Sequence, residues 1–92
     1  MVVYKVDVLK ELKKRGYDTG FIRAKHIFSE GSLQKFRSQD TSINRQTIND
    51  LCVILECQPG DILEVVPTDD EIERLGVEDR KAYIAMANKG LP

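Results

Sequence analysis

The chain has no run of 18 apolar residues, so none of it reads as a membrane-crossing helix. Its start, MVVYKVDVLKELKK, lacks the apolar core and cleavage site of a signal peptide. A cytoplasmic protein with no membrane partner is expected. Soft metal ligands are few: Cys52, Cys57 and the single histidine, His26. With no second cysteine pair, zinc has too few ligands, and the two thiols are expected to pack as small apolar groups. Catalytic signatures are missing as well, with no glycine-rich phosphate loop, no nucleophile–base pair and no paired carboxylates. At 92 residues the chain buries roughly 60% of its unfolded surface and has little room for a large cleft. Neither an enzyme nor a cofactor is expected.

What is present is charge, unevenly placed. Residues 1–49 hold ten Lys or Arg against five Asp or Glu, while residues 50–92 hold four against ten. The formal net charge of −1 therefore hides a basic half and an acidic half. A basic half suits a polyanion, because each cation set against a phosphate releases condensed counterions.

Hydrophobic periodicity gives helices and hardly any strands. Val6, Val8, Leu9 and Leu12 predict a first helix from about Val6 to Arg15, closed by Lys13, Lys14, Arg15 and then Gly16. The three cations suit the helix dipole, and a phosphate contact is a second use for them. Thr19 or Asp18 caps a second helix through Phe21, Ile22 and Ala24. Ser29 caps a third, with Glu30 in its first turn, where a carboxylate suits the dipole. In that helix Leu33 and Phe36 share an inner face, while Ser32, Gln34, Lys35 and Arg37 fall on the others. The two segments of FIRAKHIFSEGSLQKFR thus bend about Ile27–Ser29 and offer a polar outer helix, a layout suited to a DNA groove.

After the polar stretch Ser38–Ser42, Asn44 caps a fourth helix in which Ile48, Leu51, Cys52 and Leu55 follow the helical period. Pro59 opens a short fifth helix carrying Ile62, Leu63 and Val66, which Pro67 ends. Composition then changes. Thr68 or Asp69 caps an acidic helix containing Ile72 and Leu75, and Gly76 separates it from a last helix, about Glu78 to Asn88. Ala82 to Ala87 are six apolar residues in succession, which cover every side of a helix. Tyr83, Ile84, Met86 and Ala87 are accordingly expected to meet a second molecule, unless the tail folds back on its own domain. The division expected is a domain at 1–67 and a tail at 68–92.

Two stretches, Ile27-Phe28-Ser29-Glu30-Gly31-Ser32-Leu33-Gln34-Lys35-Phe36-Arg37 and Leu51-Cys52-Val53-Ile54-Leu55-Glu56-Cys57-Gln58-Pro59-Gly60-Asp61-Ile62-Leu63-Glu64, carry a resemblance. Roughly Tyr4 to Pro67 resembles the Xre/Cro type of helix-turn-helix regulator, the group that includes phage repressors, and more narrowly a compact subgroup of it. The resemblance implies an all-α, five-helix, lambda-repressor-like domain, here with the extra C-terminal helical tail. It implies sequence-specific binding to double-stranded DNA, usually as a homodimer, and transcriptional regulation by repression. Such units favour a small residue midway along the first helix of the motif and a glycine at the turn. With Leu33 and Phe36 as anchors, those places fall on Arg23 and Ile27, and Gly31 departs from the pattern inside the first turn of the third helix.

In this arrangement the N-terminal part of the third helix enters the major groove and the second helix crosses the phosphate backbone. Ser29, Glu30, Gly31 and Ser32 would lie nearest the bases, with Gln34 and Lys35 one turn on. Gln34 suits a bidentate contact to adenine, and Lys35 suits guanine or a phosphate. Thr19, Arg23, Lys25, Arg37 and Ser38 are the phosphate candidates. For Glu30 the preferred role is support of the helix start, because a carboxylate near phosphate repels unless it accepts from cytosine or holds a cation. His26 is expected to be structural. An antitoxin is the alternative reading, its acidic, apolar tail neutralising a protein toxin.

Overall fold

Short polar side chains begin the helices of this chain, as a computed structural model describing residues 1–81 shows. Helix α1 (Val8–Lys14) follows Asp7, α2 (Thr19–Lys25) follows Asp18, α3 (Glu30–Arg37) follows Ser29, and α4 (Arg45–Leu55) follows Asn44. Each cap accepts from the amide three residues on, at 3.2, 2.8, 3.1 and 2.8 Å respectively. These bonds satisfy amides that the helix itself leaves without partners. Helix α5 (Pro59–Ile62) begins at proline, and the amide of Gln58 donates to the Asp61 carboxylate at 2.9 Å.

The core draws on every one of these helices. Val8, Leu12, Ile22, Phe28, Leu33, Phe36, Leu51, Leu55 and Ile62 are buried together. Phe28 and Phe36 meet edge to face, ring centroids 5.4 Å apart, a geometry that brings ring edge to ring face. Leu33 and Phe36 therefore anchor α3 inward, as their spacing predicts. Cys52 and Cys57 are free and half-buried against this core. Burial, with Cys57 close by, pushes the Cys52 thiol pKa up.

Three expectations are corrected. The domain is mostly helical, not all-α: β1 (Val2–Tyr4) and β2 (Leu63–Val65) form an antiparallel pair with Val2 opposite Val65 and Tyr4 opposite Leu63. The fifth helix consequently stops at Ile62 and does not run to Val66. Leu63 is extended (φ −121°, ψ 150°), and the Lys5 amide donates to the Ile62 carbonyl at 2.7 Å. Val65 and Val66 are β-branched and prefer extended backbone, and a partner strand 61 positions earlier supplies the pairing. The first helix also starts later than expected, at Val8, because the carboxylate of Asp7 takes the capping role.

Beyond Pro67, α6 (Asp69–Arg74) is capped by Thr68, whose amide donates in return to Glu71 at 3.1 Å. Gly76, at φ 66°, follows, and residues 77–81 are helical. Leu75 is 63% exposed. Tyr83, Ile84, Met86 and Ala87 lie outside the described residues, as does the rest of the last expected helix.

Candidate nucleic-acid interface

Helices α2 and α3 are joined by a four-residue turn, His26 to Ser29. His26 ends α2 in the left-handed conformation, φ 54° and ψ 39°, and its amide and that of Ile27 close on Arg23 and Ile22 carbonyls at 3.3 and 3.1 Å. The turn position that usually goes to glycine is thus His26, and not Ile27 as the anchor spacing suggested. Ile27 is half-buried and packs on the core. Histidine tolerates this region better than most side chains, and a structural role for His26 agrees with it.

On α3 the outward residues are already engaged with one another. Ser29 accepts from the Ser32 amide, and its hydroxyl donates to the Ser32 hydroxyl at 3.1 Å. Gln34 is exposed, and its side-chain oxygen accepts from Arg37 Nη1 at 2.9 Å. This contact engages the side-chain oxygen of Gln34 with a residue one turn on. Gly31 is exposed, and a Cβ there would meet only the Ser29 hydroxyl at 3.7 Å, so no crowding within the protein requires glycine. Lys35 is half-buried, and its ammonium donates to the Ser42 carbonyl at 2.6 Å. It closes the loop after α3.

Glu30 holds a cation. Its carboxylate receives Arg23 Nε at 2.7 Å and Nη2 at 3.3 Å, a forked contact across the turn. The hydrogen bond from Arg23 holds the Glu30 pKa below the ordinary carboxylate value, and the same bond raises that of Arg23. Glu30 stands in the first turn of α3, behind the Ser29 cap, and its contact with Arg23 also ties α3 to α2.

Of the remaining phosphate candidates, Lys25 and Ser38 are exposed and Thr19 is half-buried. Thr19 and Arg37 line an open groove of about 470 Å³ that also takes in Lys10 and Lys13. Lys10 stands apart from the cationic run at the end of α1, so residue runs did not single it out. Its three-residue spacing from Lys13, which puts both on one helix face, is the signal that finds it.

Residues 9–68 match the family model of the Cro/C1-type HTH DNA-binding domain. The chain belongs to that family. The match spans well over half of the sequence, from the second residue of α1 through α5, with α2 and α3 in its N-terminal half, and it ends where the acidic tail begins. The Cro/C1-type domain supports double-stranded DNA binding and transcription regulation. No curated protein and no solved structure matches the chain.

Proposed function

We propose that this Cro/C1-type protein is a sequence-specific repressor that reads the major groove with α3. The observation that carries this is the two-sided character of α3: Leu33 and Phe36 are buried, while Gln34 and Arg37 stand outward as a hydrogen-bonded pair. A helix fixed from behind, with an amide side chain held in front of it, is what base readout requires. Gln34 reads adenine, and Ser29, Glu30, Gly31 and Ser32 lie beside the bases at the start of the helix. Lys35 shapes the far edge of the contact through the loop it closes. Thr19, Lys25, Arg37 and Ser38 take phosphates, and Arg23 stands on the same rim with Glu30 bound to it.

One short helix offers few base contacts, so the protein acts as a homodimer on half-sites about one helical turn apart. The cytoplasm is its proposed location. The segment 68–92, with Tyr83, Ile84, Met86 and Ala87, pairs the protomers. Deleting residues 69–92 leaves α1 to α5 folded and lowers operator affinity; dimerisation unchanged by sedimentation would refute the role given to the tail.

Exposed Leu75 beside an acidic α6 favours a second reading, in which the tail of an antitoxin-type regulator binds a protein partner. A small basic protein copurifying in fixed ratio through the tail, and lost with it, separates that reading from self-pairing.

A further inference from the structure

Arg23 and Glu30 clasp each other where the helix-turn-helix would meet the phosphate backbone. Arg23 lies in the last turn of α2 and Glu30 is the first residue of α3, and the guanidinium fork spans the gap with contacts of 2.7 and 3.3 Å. Both side chains are exposed, at 49% and 70%, so neither is required by the core. Ser29 takes the capping role at the Ser32 amide, and the Glu30 carboxylate is turned to Arg23.

Taken singly, each partner would act on DNA in a sequence-blind way. A lone Glu30 repels phosphate at every site, and a lone Arg23 attracts it at every site by counterion release. Paired, they present no net charge there, and the planar fork fixes both geometries. Affinity for arbitrary DNA is then lower than the count of cations on α2 and α3 suggests, while the reading of adenine by Gln34 is untouched.

We propose that Glu30 is a specificity-determining residue that withholds Arg23 from the phosphates and so removes one sequence-independent contact from the interface. The inference rests on the DNA-reading role given to α3.

The test compares the full chain with Glu30→Gln, Arg23→Gln and the double variant, each titrated with a random-sequence duplex and with a duplex selected for binding, over a range of salt. Glu30→Gln is expected to tighten random-duplex binding severalfold, steepen the log–log salt slope by about 0.9 and narrow the preference for the selected duplex. Adding Arg23→Gln is expected to return the slope to that of the unmodified chain. A slope unmoved by Glu30→Gln would overturn the inference. So would equal tightening in Glu30→Gln and the double variant, which would show Glu30 acting by its own repulsion and not through Arg23. Absence of salt-dependent binding to any duplex by the unmodified chain would instead overturn the DNA-reading role itself.

Discussion

The hydroxyl of Tyr4 donates to the backbone carbonyl of Asp40 at 2.7 Å, tying strand β1 to the loop that leaves α3. The same loop is closed from within, since the Asp40 carboxylate accepts from the Ser42 amide at 2.8 Å and Lys35 holds the Ser42 carbonyl. The small sheet thus fixes the C-terminal end of the helix proposed to read DNA. Burial, and then the charge of Asp40, raise the Tyr4 pKa. A raised pKa means that the contribution of Tyr4 is complete below the unfolded value of about 10 and is lost as pH rises through the folded value. Tyr4→Phe is expected to cost about 1 kcal/mol at neutral pH, read as a lower urea midpoint.

Glu30 carries the opposite sign. Its folded pKa is depressed by the Arg23 hydrogen bond, so the pair is intact above the unfolded carboxylate value and opens as pH falls through the folded one. Side-chain NMR titration should find Glu30 protonating at lower pH than a free glutamate. Arg23→Gln should move it back up; an unmoved titration would mean that the pair does not persist in solution.

His26 occupies backbone space that favours glycine. His26→Gly is expected to stabilise the domain by about 0.5–1 kcal/mol, because left-handed strain is relieved by more than the flexibility of glycine costs. Valine at this position should destabilise it by a comparable or larger amount. Thermal unfolding distinguishes the two.

The two faces of α3 should separate stability from binding. Phe36→Ala removes a buried ring that packs on Phe28 and is expected to cost about 3–5 kcal/mol, enough to unfold much of a small domain. Gln34→Ala changes an exposed side chain and should shift stability by less than about 0.5 kcal/mol. Denaturant melts of both variants check the contrast.

The starts of α2 to α5 were legible because Asp18, Ser29 and Asn44 cap amides three residues on and Pro59 opens its helix, all local chemistry, whereas the Asp7 cap of α1 was missed. Their ends were less so. Gly16, His26, Gln39 and Glu56 all adopt positive φ, and only the first advertises it. The sheet was missed because its two strands are single three-residue segments joined by pairing between the ends of the domain, a relation that no window along the chain contains. In the interface, periodicity separated Leu33 and Phe36 from Gln34 and Arg37. It could not show that Glu30 reaches back seven residues to Arg23 across a turn, or that Lys35 turns toward Ser42, since both depend on how the segments meet.

Selection of bound sequences from random duplex DNA at one fixed salt concentration, run in parallel on the unmodified chain and on Gln34→Ala, tests the reading by α3 most directly. Enrichment of an inverted repeat by the unmodified chain, with preference lost at one base position of each half-site in Gln34→Ala, is the expected result. Recovery of no consensus, or of the same consensus from both proteins, would contradict it.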